Sequence, residues 1–161
     1  ALIGVRPILL SLSKGYAITQ SIFRGYEPYK GEITMRKNGV LISKDAGDTT
    51  AYALWKLEDR GVMIVPPGTE VYPGMIIGEH NKDTDIIVNC TKGKQQTNIR
   101  SSGADEATTV SPHRKMSLEE CVTFINSDEI VEIAPEALRV RKLFLDENKR
   151  KQISRVGGEV D

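Results

Sequence analysis

Residues 85–107 decide how this chain is organised, because the apolar segment Asp85-Ile86-Ile87-Val88 runs there into the polar segment N-C-T-K-G-K-Q-Q-T-N-I-R-S-S-G-A-D-E-A, residues 89–107. The apolar segment is typical of a β-strand. The polar segment has Ile99 as its only large aliphatic residue, so it cannot bury itself. Up to Gly103 it carries Lys92, Lys94 and Arg100 and no acidic residue. This pattern predicts a long basic loop that reaches toward a partner, with the rest of the chain as its scaffold.

The composition is that of an ordinary globular protein. Hydrophobic residues make up 39% of the 161 residues and charged residues 27%. Lys plus Arg and Asp plus Glu are equal at 22 each, so any affinity for nucleic acid must come from a local patch. No apolar run approaches the roughly 18 residues that span a bilayer, and we expect no membrane partner. The first residues lack a basic n-region and a Met, which argues against a secretory signal and suggests a piece of a longer chain.

The cysteines and histidines predict neither a metal site nor a catalytic one. Cys90 and Cys121 lie far apart and form no CxxC pair, which argues against zinc and favours reduced thiols in a cytoplasmic protein. His80 and His113 have no nucleophile or metal-ligand partner at a recognisable spacing. The sequence also lacks G-x-x-x-x-G-K-[ST], the loop that cradles nucleotide phosphates. We therefore predict no enzyme activity and no cofactor for this chain.

Strand and turn signals dominate after residue 30. Residues 40–43 and 49–54, separated by Gly47-Asp48, predict a hairpin, and residues 55–60 a short helix ended by Gly61. The one clear helix is predicted over residues 117–126, where Ser117 and Glu120 have capping-box spacing. A short charged helix is expected from Asp146. Further strands are predicted at residues 62–65, 75–80, 85–88, 129–133 and 138–141, the last with Leu138 and Val140 inward and both arginines outward. The fold class is therefore α+β.

Residues 2–23 predict a helix followed by a strand. Pro7 suits the first turn of a helix, and Gly15 is a plausible stop. Residues 17–23 have the composition of a strand. This helix and strand are too apolar to stand alone, so we expect residues 2–23 to pack elsewhere, to be poorly ordered or to cause non-native self-association.

Several segments together resemble one family, the TypA/BipA translational GTPases, which are related to elongation factor G and LepA. The strongest are Thr97-Asn98-Ile99-Arg100 and Gly103-Ala104-Asp105-Glu106-Ala107 in the loop. Others in the same order are residues 38–43, 51–54, 59–61, 67–79, 114–119, 128–132 and 138–142. The resemblance is to the C-terminal region of that family and covers nearly the whole chain.

The resemblance implies a domain organisation and a function. Residues 1–29 would be the helix and strand that end a ferredoxin-like domain V, as in elongation factor G. Residues 30–152 would be the family's strand-rich C-terminal domain with one main helix, and residues 153–161 a disordered tail. The parent protein would be a GTPase, with GTP and Mg held by a G domain outside these residues, that acts in large-subunit assembly and stress adaptation. Its partners would be the ribosome's large-subunit rRNA and the acceptor arm of the A-site tRNA.

The residues expected to bind RNA follow from the loop and the chain after it. Lys92, Lys94 and Arg100 can neutralise phosphates, while Thr97 and Asn98 can hydrogen-bond phosphate or sugar oxygens. Arg114 and Lys115 extend the basic surface. Arg139, Arg141 and Lys142 could extend it further, although outward arginines on a strand are typical of a solvated face.

Two features leave an alternative open. Gln95-Gln96 stands where the family often has a lysine, which weakens the positive charge of the loop. Three charges alone are also a weak patch. The alternative is a protein-interaction or interdomain scaffold module without direct RNA contact.

Overall fold

The computed structural model of the protein describes residues 5–28, 36–93, 110–135 and 137–156. The chain divides into two compact units, Ala1–Met35 and Arg36–Asp161. No helix in the described part of the chain is long and apolar enough to cross a membrane.

The first unit contains helix α1 (Val5–Leu12). The helix ends where Gly15, at φ +89°, donates its N–H to the carbonyl of Leu10 at 2.7 Å, so the predicted helix and its glycine stop are confirmed. The strand predicted at residues 17–23 is wrong, because these residues form no strand. A strand is held by hydrogen bonds to a neighbour, and none of the described residues pairs with this segment.

The second unit is built from three helices and eight strands in its described residues. The helices are α2 (Ala51–Leu57), α3 (Leu118–Phe124) and α4 (Glu147–Val156). The strands are β1 (Val40–Ser43), β2 (Gly47–Asp48), β3 (Gly61–Met63), β4 (Glu70–Val71), β5 (Met75–His80), β6 (Ile86–Val88), β7 (Glu129–Ile133) and β8 (Leu138–Lys142). This mixture confirms the predicted α+β class.

Strand β5 is the centre of a six-stranded sheet. Five of its strands follow the order β6-β1-β5-β8-β7, and the sixth, β3, also pairs with β5. One edge of β5 pairs antiparallel with β1. Strands β3 and β8 both pair antiparallel with β5 as well, β3 near its end and β8 near its start. Strand β6 pairs with β1 in parallel and ends the sheet. The pairing of β3 with β5 requires a glycine at position 61, since a Cβ on Gly61 would lie 2.0 Å from the carbonyl oxygen of Glu79.

Helices cover both faces of the sheet. Helix α2 buries Leu54 and Leu57 in a cluster that includes Leu41 of β1 and Ile77 of β5. On the other face, α3 buries Cys121 and Phe124 in a cluster with Val40, Ile42, Ile76 and Val140. A strand buried on both faces is apolar at every position, and this explains why β1 reads Val-Leu-Ile without alternation.

The predicted hairpin at residues 49–54 is wrong, because this segment begins α2. Thr50 caps the helix, and its Oγ1 accepts the N–H of Ala53 at 3.1 Å. Helical spacing then places Leu54 and Leu57 on one buried face. Gly47-Asp48, predicted as the turn, instead pairs as β2 with β4 in a two-stranded sheet.

Two other helix predictions can be compared with the structure. The helix predicted over residues 117–126 is α3, and the charged helix expected from Asp146 is the ten-residue α4. Helix α4 runs to Val156, four residues into the segment predicted as a tail, and residues 157–161 lie outside the described residues. The capping box of α3 is confirmed, with Ser117 and Glu120 bonded to each other's backbone N–H.

The strands predicted at residues 129–133 and 138–141 are confirmed as β7 and β8, which pair as a hairpin, and the predicted side-chain directions hold with one exception. Val140 is 2% exposed and faces the core, but Leu138 is 39% exposed instead of inward. Leu138 pairs with Ile133, itself 69% exposed, next to the turn that joins the two strands. Alternation alone therefore did not locate the end of the core.

Candidate nucleic-acid interface

The basic loop of residues 89–107 leaves the scaffold at the start of helix α2. Its first residues follow β6 directly. The N–H of Thr50 donates to the carbonyl of Cys90 at 3.0 Å, and its Oγ1 donates to the carbonyl of Lys92 at 2.9 Å. The residue that caps α2 therefore also fixes the outgoing end of the loop.

The chain returns at the other end of the same helix. The N–H of Ser111 donates to Oε1 of Glu58, the residue that follows α2, at 2.5 Å. The N–H of Arg114 donates to the carbonyl of Met63 at 2.8 Å, and Val110 packs against the core. Since α2 has seven residues, its two ends lie about 10 Å apart. Helix α2 and the residue after it therefore hold the chain at Lys92 and again at Ser111, on either side of residues 94–109, which lie outside the described residues.

Asn89 shapes the turn from β6 into the loop. Its Oδ1 accepts the N–H of Thr91 at 3.2 Å and that of Lys92 at 3.0 Å, as in an Asx turn. Its Nδ2 donates to Asp45 at 2.5 Å. These bonds fix the backbone of Lys92, whose side chain is exposed.

A pocket of about 660 Å³ lies at the outgoing root of the loop; we call it the basic pocket. Helix α2 and the turn after it form one wall, and strand β6 with the start of the loop forms another. Its lining consists of three cationic side chains, one aromatic ring, four apolar residues and two small or polar ones: Lys56, Arg60, Lys92, Tyr52, Ala53, Leu57, Ile87, Val88, Asn89 and Gly93.

The basic pocket is positive and has an apolar floor. No carboxylate is found among the described residues that line it. Ala53, Leu57 and Val88 belong to the buried core, so the floor is rigid. Tyr52 and Lys56 lie four residues apart on α2, and the Lys56 ammonium lies 4.6 Å from the centroid of the Tyr52 ring. The ring of Trp55, 48% exposed, lies 6.3 Å from that of Tyr52.

The structure describes three of the seven residues predicted to bind RNA. Lys92 lines the basic pocket. Arg114 and Lys115 are exposed but do not line it, and Arg114 lies 3.6 Å from Glu79, which partly neutralises its charge. The other four, Lys94, Thr97, Asn98 and Arg100, lie outside the described residues.

Tyr52, Lys56 and Arg60 are not among the residues predicted from the sequence to bind RNA. The prediction of a strand at residues 49–54 separated Tyr52 from the other two. The signal that could have found them is their spacing of four residues from one another after the helix-capping Thr50, because residues four apart lie on one face of a helix.

Lys142 was suggested as part of the basic surface, but it is 2% exposed and lies inside an acidic cluster. Its Nζ is 2.6 Å from Asp85, 2.6 Å from Asp128 and 2.9 Å from Glu129. These three carboxylates have the spacing of a metal site, but the ammonium already lies among them. Burial lowers the pKa of Lys142, but the charge of Glu129 and the bonds from Asp128, Asp85 and Glu129 outweigh burial and raise it overall.

Oε1 of Glu129, which accepts a hydrogen bond from Lys142, accepts a second one from Arg36. Arg36 donates from Nη2 to Oε1 of Glu129 at 2.6 Å, and its guanidinium lies 4.4 Å from the centroid of the Phe124 ring. The remaining nitrogen, Nη1 of Arg36, is buried without a hydrogen-bond partner. The cluster therefore ties residue 36, β6, β7 and β8 together as a structural element.

His80, Cys90 and Cys121 are buried in the scaffold. His80 is buried, and its Nδ1 lies 2.6 Å from the carbonyl of Thr84. Cys90 lies 3.3 Å from the hydroxyl of Ser43, and burial raises the pKa of both Cys90 and Cys121. A raised pKa keeps a thiol protonated and therefore a weak nucleophile.

Comparison with known proteins gives a consistent result. The family model described as the TypA/BipA C-terminal domain matches residues 38–147. The chain is 46% identical over 155 residues to the large ribosomal subunit assembly factor BipA of Bacillus subtilis, and the match covers 96% of this chain and 25% of that protein. It is 47% identical over 156 residues to the protein of the same name from Buchnera aphidicola, covering 96% and 26%. The corresponding protein of Salmonella typhimurium is 44% identical over 155 residues, covering 96% and 26%. The chain thus spans about a quarter of the length of these relatives.

Proposed function

The chain belongs to the TypA/BipA C-terminal domain family, and on that premise we propose that it docks its parent protein on the ribosome by binding RNA. The contact is made by the basic loop of residues 89–107, and the α+β scaffold holds the chain at Lys92 and at Ser111, before and after the undescribed residues. The relatives are named large ribosomal subunit assembly factors, which supports a ribosomal partner for this chain.

The observation that carries the proposal is the way the loop is anchored. Thr50 and Glu58, at the two ends of α2, bond the outgoing and returning chain. The scaffold below them is closely packed, so the loop is presented from a fixed base. The basic pocket at the outgoing root adds Lys56 and Arg60 to the charge of Lys92. Three cations in a lining that contains no carboxylate favour a polyanion over a protein surface of mixed charge.

The finer parts of the proposal follow from the family resemblance. The RNA partners are large-subunit rRNA and the acceptor arm of the A-site tRNA. The parent protein is a cytoplasmic GTPase, with GTP and Mg bound in a part of the protein outside these residues, and it acts in ribosome assembly and stress adaptation. Residues 1–29 are the end of a ferredoxin-like domain that precedes the C-terminal domain.

The test is co-sedimentation of the parent protein with ribosomes, in the presence of a non-hydrolysable GTP analogue. The triple variant K92A/K94A/R100A is compared with K37A/K82A/K149A, which removes three exposed positive charges that do not line the basic pocket. We expect the loop variant to bind at least about tenfold more weakly. Its plot of log affinity against log salt should also be shallower by about 2, since each lost phosphate contact removes about 0.7 from the slope.

Two outcomes would contradict the proposal. Equal binding by the loop variant and the control variant would favour the protein-interaction or interdomain scaffold. A cross-linker placed at position 98 or 100 that captures ribosomal protein and no RNA would favour it as well. A cross-link to the acceptor end of the tRNA is the result we expect.

A further inference from the structure

We propose that the basic pocket binds one unpaired nucleotide of an RNA, with the base over the apolar floor and the phosphate at the cationic rim. This inference deepens the proposed function and rests on it, because it takes RNA as the partner. It assigns a binding role to Tyr52, Lys56 and Arg60, which lie outside the basic loop.

The size of the basic pocket fits one nucleotide. Its volume of about 660 Å³ lies within the range of about 300–1,000 Å³ typical of pockets for small organic ligands. An RNA double helix is far too wide to enter such a space. RNA recognition by proteins most often uses bases that have left the stack, because those bases can be inserted between side chains.

The chemistry of the lining favours a ligand that is partly anionic and partly flat and apolar. A bare phosphate would satisfy Lys56, Arg60 and Lys92 but would make no use of the Tyr52 ring or of the apolar part of the lining. A purely apolar ligand would cover the floor and strip water from three cations without compensation. A nucleotide carries an apolar, flat base and an anionic phosphate on one small unit, so it complements both parts.

Two flat groups belong to the lining. One is the Tyr52 ring, whose centroid lies 4.6 Å from the Lys56 ammonium. Arg60 adds a planar guanidinium on which a base can stack. Stacking on such groups tolerates different base identities, because every base has a π-face.

The basic pocket is also connected to the loop. Lys92 belongs to the loop, and its backbone carbonyl is held by Thr50 at the start of the helix that carries Tyr52 and Lys56. A nucleotide bound between Lys92 and α2 therefore bridges the loop and the scaffold. We expect occupancy of the basic pocket to add to the affinity of the loop for the same RNA.

The test compares two RNA hairpins that differ in one nucleotide. In the first a single 4-thiouridine is bulged out of the stem, and in the second the same residue is base-paired. Binding to the 161-residue chain is followed by quenching of Trp55, the single tryptophan, whose ring lies 6.3 Å from that of Tyr52. We expect the bulged hairpin to bind at least tenfold more tightly and, on irradiation, to cross-link within residues 52–60 or 87–93.

Variants separate the basic pocket from general charge. K56Q/R60Q should lower the affinity for the bulged hairpin about tenfold and change that for the paired hairpin less than threefold. The control K37Q/K82Q removes the same charge from exposed positions outside the basic pocket and should change both equally and little. K56R/R60K should retain the preference for the bulge, and thermal unfolding of every variant checks that the scaffold is intact.

The outcomes distinguish this inference from the proposed function. If both hairpins bind equally and K56Q/R60Q behaves like its control, the nucleotide site is overturned while RNA binding by the loop stands. If neither hairpin binds and the parent protein does not sediment with ribosomes, both proposals fall. Binding of uridine monophosphate alone, with no binding of either hairpin, would overturn the RNA proposal by showing a site for free nucleotide.

Discussion

Residues 17–23 in the first unit and β1 in the second have similar apolar, strand-like sequences. Only β1 forms a strand. Ile18 and Ile22 are 88% and 94% exposed, whereas Val40 and Leu41 are fully buried. Strand β1 has β5 on one edge, β6 on the other and a helix over each face. Residues 17–23 have no strand partner among the described residues. A β-favouring composition becomes a strand only where a neighbour takes up its backbone hydrogen bonds.

The difference matters energetically. Burying a leucine or isoleucine side chain contributes about 1.5–3 kcal/mol, and an exposed one contributes almost nothing. The second unit therefore holds most of the stability of the described chain. The exposed apolar side chains of residues 12–26 keep the prediction of self-association open, and light scattering over a range of concentrations measures it.

The largest loss of stability is expected in the second unit at Lys142, whose buried ammonium lies among three carboxylates. Lys142→Met should destabilise the protein by about 3–5 kcal/mol, because Glu129 and its neighbours lose their compensating charge. Urea unfolding followed by circular dichroism measures the change. A loss below about 1 kcal/mol would mean that Arg36 alone compensates Glu129.

The same ammonium predicts an alkaline limit to stability. The pKa of Lys142 is raised in the folded state, so its contribution is complete below the ordinary lysine pKa of about 10.4. The contribution is lost as pH rises through the raised value. The stability difference between the native chain and Lys142→Met should therefore be constant from pH 7 to 10 and shrink above it. A difference that shrinks between pH 7 and 9 would contradict the raised pKa.

A matched pair of truncations tests the two segments directly. Leu41→Ala removes a fully buried side chain and should cost about 2–5 kcal/mol. Ile22→Ala removes an exposed one and should change the free energy of unfolding by less than about 0.5 kcal/mol. Urea midpoints of the two variants give the comparison. Equal losses would show that residues 17–23 are buried against something in solution.

The helical structure of residues 51–57 can be tested at its cap. Thr50→Ala should cost about 1 kcal/mol, because it removes the cap of α2 and the bond to the carbonyl of Lys92. Thr50→Ser keeps both bonds and should be nearly neutral. Hydrogen exchange of the amide of Ala53 should accelerate in the alanine variant only. No acceleration would mean that packing of Leu54 and Leu57 alone holds the start of the helix.

The smallest expected effect lies on the β7–β8 hairpin. A 2.6 Å hydrogen bond from Tyr72 lowers the pKa of Glu132. Partial burial raises this pKa, but a 2.6 Å hydrogen bond from Arg141 lowers it further, so the pKa is lowered overall. The contribution of Glu132 is therefore present above the ordinary pKa of about 4.3 and is lost as pH falls through the lowered value. It should amount to about 0.5 kcal/mol after solvent screening. Thermal unfolding of Glu132→Gln should match the native chain near pH 2 and fall slightly below it at pH 7.

The parts of the fold that were predictable depend on neighbours in sequence. The capping box of Ser117 and Glu120 joins residues three apart, and it located α3. The apolar run of β5 and the alternation of β7 and β8 located those strands. Residues 49–54 were misassigned because a threonine followed by alanine, tyrosine and leucine suits a strand and a helix alike. The choice was made by Leu54 and Leu57, which pack against Leu41 and Ile77 of the sheet.

The sequence by itself determined the family of this protein, its α+β class and the basic character of the loop, because these properties are written in the order and type of residues. Only the tertiary structure decided that Lys142 is buried among acids and that Lys92 meets Lys56 and Arg60 in one pocket. Both arrangements join residues that lie far apart along the chain. Such contacts depend on how strands and helices pack, and local patterns carry no information about that packing.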